Sequence, residues 1–498
     1  MKKTFTILFS IMAIGFLITI NNASGQSQVE WEKRYGGSSS DEAYEIQETS
    51  DGGYVLVGNT KSSDGDVGVN NGGQDIWIGK LDINGNLEWK RSFGGSDLDS
   101  ASDVIQTNDG GYIIAASSKS TDFDVGGNKG ATDSWVLKLD RNGNLEWENN
   151  YGGSGDDTGT SIIQLADGTY ILAGTADDND GDVRGTNGNR DIWILKLDAL
   201  GNIIWHKSYG GDQLDLVAVI RQTSDGGFIV GGDSFSNNFD VGGNNGIRDF
   251  WILKLNSAGD LIWENNYGGP ESEQITSIQQ TRDGGYVFAG FVSTSSNKSD
   301  YSLVKVDSNG NVQWTRTYGG TDHDIATSIY QTNDNGFVVG GYTKSDDGDV
   351  EGNTGGTSSW TLKLNSIGNI EWQVIDGGTN GDTCRELKAT RDGGYVIAGS
   401  SGLDFWILKY APLSVSIEEM NIDPQFSISP NPSQGRILID SKDITGPVGV
   451  QVFDIMGQCI YKKDNVSIPI TLENISPGHY FILLNSENRS YSQEFISY

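Results

Sequence analysis

Residues 51–58 read DGGYVLVG, and this stretch opens a pattern that returns at a nearly fixed interval. Within the same unit, residues 75–81 read DIWIGKL and residues 84–89 read NGNLEW. The tryptophan that ends this unit recurs with spacings of 58, 58, 58, 58, 51 and 58 residues, at Trp31, Trp89, Trp147, Trp205, Trp263, Trp314 and Trp372. A repeat of this length indicates an array of small structural units.

Two further markers count the units. Six more tryptophans form a second column, at Trp77, Trp135, Trp193, Trp251, Trp360 and Trp406. The two columns contain all 13 tryptophans of the chain, and the one gap in the second is Ser302, in the unit that is seven residues short. An Asp-Gly type turn also recurs, at Asp51, Asp109, Asp167, Asp225, Asp283, Asp334 and Asp392. The chain therefore carries seven units.

Each unit contains four short runs with the composition of β-strands. In the first unit they are residues 43–49, 54–59, 75–81 and 86–93, rich in aromatic and β-branched residues. Asp-Gly and Asn-Gly, which supply the positive φ of tight hairpins, separate the first run from the second and the third from the fourth. Seven units of four antiparallel strands predict an all-β fold, a seven-bladed β-propeller.

The ends of the repeat region predict how the ring closes. Residues 29–35, VEWEKRY, have the sequence of a fourth strand, but no first three strands precede them. The last unit stops after its third strand, residues 405–410. We therefore expect the N-terminal strand to complete the last blade, which leaves no open sheet edge.

Charge and the N-terminal segment restrict the functional classes. With 34 basic and 67 acidic side chains, the formal net charge is −33, which argues against nucleic acid and anionic membrane surfaces as partners. Residues 1–25 have the features of a signal peptide: Lys2 and Lys3, an apolar run from Ile7 to Ile20, and small residues before Gln26. We expect an exported protein with no transmembrane segment in the mature chain.

The C-terminal region differs in character from the repeats. We expect the propeller to span residues 26–413, a linker residues 414–424, and a small β-sandwich of about seven strands residues 425–498. This last region contains SPNP at residues 429–432, VFDIMG at 452–457 and GHYFI at 478–482. Its motifs resemble the C-terminal sorting domain (type A) of the type IX secretion system of Bacteroidetes. Its final strand departs from the family in carrying Gln493-Glu494-Phe495 where members often have Lys or Arg.

These resemblances imply a route and a fold. The sorting domain implies recognition by the type IX secretion machinery, transit of the outer membrane, and then cleavage with surface attachment or release. The repeats resemble the bacterial β-propeller repeat of secreted and surface proteins, with its Tyr-Gly-Gly and Gly-Asn-Leu-x-Trp signatures. That second family predicts the fold well and the function poorly.

Side chains suited to catalysis are scarce in the sequence. The three histidines, His206, His323 and His479, occur once each in unrelated contexts. No nucleophile elbow and no zinc-type spacing of His and Cys is present. Cys384 falls in a column of small residues, which predicts a buried, unreactive thiol. The sequence therefore offers no catalytic histidine, cysteine or serine.

Carboxylates recur at one position of every unit. Six residues after each Tyr-Gly-Gly tyrosine position, at the expected entry to the innermost strand, the residue is acidic: Asp41, Asp99, Asp157, Asp215, Glu273, Asp324 and Asp382. They could form a cation-binding ring at one mouth of the channel, or each could accept backbone N–H groups and fix its loop. We favour the structural role, since every blade carries the feature. The tryptophan columns are likewise expected to pack between blades rather than to bind sugars.

A second acidic set occupies the loops between the second and third strands. Five loops carry an Asp-x-Asp pair or a close variant: Asp64 and Asp66, Asp122 and Asp124, Asp180 and Asp182, Asn238 and Asp240, Asp347 and Asp349. Two blades lack the loop, so it is a better functional candidate than a feature every blade needs. Clustered carboxylates suit Ca²⁺, although Asp, Gly and Asn also populate any solvated turn. Calcium is the only cofactor that the sequence suggests.

Two functions remain open at this stage. The first is a non-enzymatic propeller that binds an extracellular glycan or protein through the acidic loop face. The second is a polysaccharide hydrolase or lyase that uses loop carboxylates. Near-identity of the blades favours the first, because a catalytic site usually singles out unrepeated residues. The irregular fifth and seventh blades, near residues 293–302 and 400–404, could leave a notch in the rim for a ligand.

Overall fold

The computed structural model describes residues 28–412 and 426–497, apart from residues 178, 294–297, 378–380, 442–443, 445, 455–458 and 486–489. The described residues form two compact units, 28–412 and 426–497. The predicted signal peptide, residues 1–25, and the predicted linker, residues 414–424, lie outside them. No helix in the described part of the chain is long and apolar enough to span a membrane.

The first unit contains 28 strands in the residues described. The N-terminal strand and the strands of blades 1 to 3 are β1 Val29–Tyr35, β2 Asp41–Glu48, β3 Tyr54–Thr60, β4 Asp75–Leu81, β5 Leu87–Phe93, β6 Asp99–Gln106, β7 Tyr112–Ser118, β8 Asp133–Leu139, β9 Leu145–Tyr151, β10 Thr158–Gln164, β11 Tyr170–Ala176, β12 Asp191–Leu197 and β13 Ile203–Tyr209. The strands of blades 4 to 7 are β14 Asp215–Gln222, β15 Phe228–Ser234, β16 Asp249–Leu255, β17 Leu261–Tyr267, β18 Ser272–Gln280, β19 Tyr286–Ser293, β20 Ser299–Val306, β21 Val312–Tyr318, β22 Asp324–Gln331, β23 Phe337–Thr343, β24 Ser358–Leu364, β25 Ile370–Asp376, β26 Asp382–Ala389, β27 Tyr395–Ser401 and β28 Asp404–Tyr410.

Strand pairing confirms the predicted seven-bladed propeller. Six four-stranded antiparallel sheets follow chain order, and the seventh has the order β1-β28-β27-β26. In that sheet Tyr35 pairs with Phe405 and Glu32 with Leu408. The predicted closure by the N-terminal strand is therefore correct. First strands of neighbouring blades contact one another, for example β2 with β6 and with β26, so they surround the central channel.

Every first strand contains a β-bulge at the same place. In blade 1, Ala43 pairs with Gly58 and Glu45 with Val57, so Tyr44 is the extra residue. Equivalent register shifts occur in the other six first strands. A bulge bends the strand and redirects its side chains. The column of bulged residues thus becomes part of the channel wall.

Aromatic side chains pack the blades against each other. Trp77 is fully buried and stacks on Phe405 of the preceding blade, with ring centroids 4.7 Å apart. Trp31, in the other column, is half-buried and meets Tyr54 of the next blade edge-on at 5.6 Å. Such pairs add to the burial of apolar area on both faces of each sheet. Cys384 lies buried at the interface between blades 6 and 7.

The second unit is a sandwich of two antiparallel sheets. The strands described in it are β29 Ser427–Ser429, β30 Arg436–Asp440, β31 Val448–Asp454, β32 Cys459–Val466, β33 Ile470–Glu473, β34 Gly478–Asn485 and β35 Ser490–Ser497. One sheet has the order β29-β30-β33 and the other β32-β31-β34-β35. Ile437 and Ile439 of the first sheet share a core with Val450, Val452 and Ile482 of the second. The predicted small β-sandwich is confirmed.

Candidate functional site

Two kinds of loop leave the propeller at one end of the blades, and we call this end the loop face. The turns after the fourth strands, such as residues 94–98, lie against the loops between second and third strands, such as residues 119–132. Asp124 N donates to Gly94 O at 3.4 Å, and Asp97 N donates to Ser120 Oγ at 3.0 Å. Both predicted acidic sets therefore lie on the same face.

The ring carboxylates are buried and hydrogen-bonded. Asp99 Oδ2 accepts from Gly95 N at 2.7 Å and from Ser120 Oγ at 2.8 Å, and Oδ1 accepts from the Ser118 hydroxyl. The same Oδ2 contacts, to a backbone N–H and a serine hydroxyl, recur at Asp41, Asp215 and Asp324. These carboxylates are at most 1% exposed, and their hydrogen bonds tie each turn to its blade.

The fifth blade carries the exception, Glu273. Its Oε1 accepts from Gly269 N at 3.2 Å, and the side chain is buried. Burial, with the nearby carboxylates of Asp249 and Glu271, raises the pKa of Glu273 to about 7. The longer side chain keeps the backbone contact of the ring and has a different environment from the aspartates.

The loop pairs also contact the turns. The first residue of each pair accepts a backbone N–H of the preceding turn: Asp64 from Ser38, Asp122 from Ser96, Asp180 from Ser154, Asn238 from Asp212 and Asp347 from Thr321. The distances lie between 2.7 and 3.0 Å. The second residue approaches the first glycine of the turn: Asp124, Asp182, Asp240 and Asp349 accept its N–H at 3.3 to 3.4 Å, and Asp66 N donates to Gly36 O. The pairs thus fasten one loop to the next.

The contacts of the loop pairs restrict how a calcium ion could bind to them. Within the described ranges, no group of three or more His, Cys, Asp or Glu side chains is arranged to hold a metal ion. The first carboxylate of each pair already accepts a backbone N–H, as Asp122 does from Ser96. A cation would have to share these oxygens with the backbone. Calcium binding stays a prediction.

A third acidic column on this face was missed by sequence reasoning. The third strands of most blades begin with an aspartate, as β4 does with Asp75. Burial, with the carboxylates of Asp99 and Asp124, raises the pKa of Asp75 to about 6. Asp191 has the same setting beside Asp215 and its pKa is also about 6. The column is visible in the sequence as the Asp of the DIW motif, but its approach to the next blade requires the fold.

A lysine column on the opposite face was missed as well. We call this end, where the Asp-Gly turns lie, the turn face. Lys138 is buried and its Nζ lies 3.0 Å from Asp109 and 2.9 Å from Glu146. An equivalent lysine pairs with the turn aspartate in each of the other blades, at Lys80, Lys196, Lys254, Lys305, Lys363 and Lys409. Its regular spacing in the third strand was the available signal.

The central channel collects residues that do not repeat. A cavity of about 570 Å³ is lined by the first strands and opens on the loop face. At its mouth Arg385 lies 2.7 Å from Glu42, and its guanidinium stands 5.7 Å from the ring of Tyr44 and 6.0 Å from that of Tyr342. Across the mouth, Arg248 binds Asp233 at 2.5 Å. These residues come from blades 1, 4, 6 and 7, and sequence reasoning did not single them out.

Charged groups deeper in the channel are paired with one another. Lys388 lies 3.0 Å from both Glu45 and Glu386. Burial raises the pKa of Glu45 well above its ordinary value, and the positive charge of Lys388 opposes that shift. Asp103 accepts from Ser161 Oγ at 3.0 Å and from Ile162 N at 2.9 Å. The charged groups of the channel wall are therefore mostly hydrogen-bonded or ion-paired.

Comparison with known proteins identifies the second unit. Residues 427–497 match the family described as the secretion system C-terminal sorting domain. The chain is therefore a seven-bladed β-propeller that carries a sorting domain of the type IX secretion system, as its motifs indicated. This domain implies a location outside the cell or on the outer-membrane surface.

Other similarities concern parts of the chain or the general architecture. PorZ of Porphyromonas gingivalis, described as an essential bacterial surface component of the type IX secretion system, is 12% identical, with 91% of this chain and 59% of that chain covered and a TM-score of 0.43. The Pan2 WD40 domain of Neurospora crassa is 10% identical, with 76% and 97% covered and a TM-score of 0.45. The regulatory protein FlaEY of Caulobacter vibrioides is 30% identical over 115 residues, 20% of this chain and 12% of that protein. The propeller assignment rests on the strand pairing.

Proposed function

We propose that this protein is an exported, non-enzymatic propeller that binds an extracellular glycan or protein on its loop face, over the mouth of the channel. One observation carries the proposal. Most of the loop face repeats from blade to blade, apart from the irregular fifth and seventh blades. The mouth instead gathers residues that do not repeat, from several blades: Arg385, Glu42, Tyr44, Tyr342 and Arg248. Arginine and tyrosine are the side chains enriched where proteins bind partners.

Binding is favoured over catalysis by the state of the channel carboxylates. Glu45 is paired with Lys388, Glu42 with Arg385, and Asp103 accepts a backbone N–H. A glycosidase needs two carboxyl groups directed at the same bond, one of them free to give up a proton. Carboxylates that hold neighbouring strands together are poorly placed for that role.

Export would follow the route that the sorting domain indicates. Residues 1–25 would direct the chain across the inner membrane, and the secretion machinery would then recognise residues 425–498. Deletion of residues 425–498 should leave a folded propeller trapped in the periplasm. Fractionation of cells that express the two forms tests this, and normal amounts of the truncated form outside the cell would contradict it.

A glycan array and a pull-down with the mature protein test the binding site. Arg385→Ala should reduce capture of any ligand at least about tenfold, since an arginine that a ligand covers at the centre of a binding site is worth about 2 kcal/mol or more. Arg316→Ala is the matched control, because Arg316 also stands near an aromatic ring, 5.9 Å from that of Trp314, but on the outer rim. Thermal unfolding of both variants shows whether the propeller stays folded. Equal capture by both variants would place the ligand elsewhere.

A further inference from the structure

Ser302 is the one break in the second tryptophan column. In the regular blades this indole fills the space against the preceding blade, as Trp77 does against Phe405 and Tyr35, with ring centroids 4.7 and 6.2 Å away. In four blades its Nε1 also donates to a side-chain oxygen of the fourth strand, at 2.8 to 2.9 Å. In three of them the acceptor lies thirteen residues further on, for Trp135 at Glu148, for Trp251 at Glu264 and for Trp360 at Gln373, and in the last blade Trp406 donates to Glu32 of the closing N-terminal strand. The position thus holds a planar ring in six blades and provides an acceptor for its N–H in four of them, while Nε1 of Trp77 and of Trp193 has no partner among the described residues.

Blade 5 leaves this position open. Ser302 pairs with Gly290 in the sheet, and the residue thirteen further on is Thr315. A cavity of about 380 Å³ lies here between blades 4 and 5, within the size range of small-ligand sites. Its walls include Phe250 and Tyr267, which occupy the same positions in blade 4 as Phe405 and Tyr35 do in blade 7.

The aromatic wall of the cavity is held in place. Phe288 packs against Tyr267 at 5.1 Å and against Phe250 at 5.8 Å, in tilted and edge-on arrangements. Tyr267 also donates through its hydroxyl to Gly310 O at 2.7 Å. With Phe288 in this position, a cavity of about 380 Å³ remains beside the two rings. It is therefore a preformed space and not a collapsed one.

Polar groups at this cavity lack partners. Both side-chain atoms of Asn266, Oδ1 and Nδ2, are buried and have no hydrogen-bond partner among the described residues, and the same holds for Glu273 Oε2. At the equivalent position of blade 2, Asn150 donates to Gly126 O at 2.8 Å. A buried polar group without a partner is costly and usually marks a missing water or ligand. On the solvent side Thr315 and Thr317 are exposed, so the cavity opens at the rim.

We infer that this cavity binds a planar aromatic ring that carries an N–H donor, supplied by a small aromatic compound or by a tryptophan side chain of a protein. The ring would take the place that an indole takes in the other blades, against Phe250 and Tyr267. Its N–H would donate to Asn266 Oδ1 or to the Thr315 hydroxyl, in place of the acceptor that the regular blades provide. This site is separate from the channel mouth and does not depend on the function proposed there.

Thermal unfolding and titration calorimetry with indole test the inference in the full mature chain. Indole should raise Tm as its concentration rises, because it binds only the folded state. Indene, which has the same shape without the N–H, should bind about fivefold more weakly, the usual value of one neutral hydrogen bond. N-acetyl-tryptophanamide distinguishes the two sources of the ring. If indole and N-acetyl-tryptophanamide both bind, the ligand can be a tryptophan side chain of a protein, and if indole alone binds, the ligand is a small molecule.

Three variants make the test specific. Ser302→Trp should fill the cavity, raise Tm without any probe and abolish the response to indole. Ser302→Ala keeps the cavity open and should retain the response. Asn266→Leu removes a group that has no partner in the described structure, so it should fold normally and reduce binding of indole but not of indene. No response of the wild-type protein to indole, or an unchanged response after Ser302→Trp, would overturn the inference.

Discussion

The two faces of the propeller both carry rows of aspartates, and the pKa values of Asp51 and Asp75, at the two ends of blade 1, move in opposite directions. On the turn face, partial burial acts to raise the pKa of Asp51, but hydrogen bonds from Thr49, Gly53 and Lys80 outweigh it and hold that pKa at about 2. On the loop face, burial raises the pKa of Asp75 to about 6. The same residue type therefore has opposite electrostatic behaviour at the two ends of one blade.

The difference comes from what accompanies each carboxylate. Turn-face aspartates are exposed and have a buried lysine beside them, as Asp109 has Lys138. The ring carboxylates of the loop face are buried and are held by hydroxyl and backbone N–H groups, as Asp99 is by Ser120 and Gly95, with the carboxylate of Asp75 nearby. Hydrogen bonds satisfy the oxygens but leave the negative charge uncompensated. We therefore expect a cationic group of a ligand to bind more favourably on the loop face than on the turn face.

Removal of residues 29–35 should have the largest effect, since this strand completes one blade at both faces. Its loss removes the ion pair between Glu30 and Lys409 and exposes β28, including the Trp406 side chain. Loss of a fully buried tryptophan costs about 3–5 kcal/mol, so loss of the half-buried Trp31 accounts for part of that, and an open edge adds a risk of aggregation. We expect a large fall in Tm and in soluble yield, measured by calorimetry and gel filtration. Deletion of residues 426–497 is the control and should leave the propeller transition in place.

A matched pair of substitutions in blade 2 compares the two faces directly. Asp99→Ala leaves the Gly95 N–H and two serine hydroxyls without their acceptor in a buried site and should cost about 3 kcal/mol. Asp109→Ala removes an exposed carboxylate, while Lys138 keeps Glu146, and should cost about 1 kcal/mol. Urea unfolding measures both. Equal losses would mean that burial does not distinguish the faces.

The sequence predicted the fold because its evidence is local and repeated. Strand-forming runs and Asp-Gly turns specify hairpins, and the tryptophan columns count the blades. The partners of the acidic ring were harder to predict, since Asp99 accepts hydrogen bonds from Ser118 at the end of β7 and from Ser120 in the loop after it. The channel mouth depends on the bulges that redirect Tyr44 and Arg385, and no local pattern reveals a bulge. The gap at Ser302 was visible, but the persistence of a cavity there depends on how closely its neighbours pack.

The pH dependence of stability should separate the faces next. A folded-state pKa raised to about 6, as for Asp75 and Asp191, or to about 7, as for Glu273, stabilises the fold at pH below the unfolded value, about 4. That contribution is lost progressively as the pH rises from about 4 through the folded-state pKa values of about 6 to 7. A pKa lowered to about 2, as for Asp51, gives a contribution that is present above about pH 4 and lost as the pH falls toward 2.

Tm should consequently be highest near pH 4 and a few degrees lower at pH 8, with most of the fall complete by about pH 7. Asp75→Asn keeps an acceptor for Asn71 N without a charge and should flatten the fall toward pH 8. Asp51→Asn should instead flatten the fall at the acidic end. A Tm that rises steadily from pH 5 to pH 8 would contradict the burial of uncompensated carboxylates on the loop face.

Calcium should have the smallest effect on Tm, and it tests directly whether the loop face lacks positive charge that the turn face has. On the turn face, lysines already pair with the carboxylates, as Lys138 does with Asp109. A bound cation should therefore stabilise the loop face more than the turn face. We expect Ca²⁺ to raise Tm more than Mg²⁺ at matched ionic strength, because Mg²⁺ demands a stricter octahedron than these loops provide. Asp122 and Asp124 changed together to Asn should remove only part of the shift, since four other loops remain. Changing Asp109→Asn on the turn face is the control and should leave the shift intact. Equal shifts of Tm with both ions would mean that the ions only screen the acidic surface. No shift would mean that the loop pairs bind no calcium and only hold neighbouring loops together.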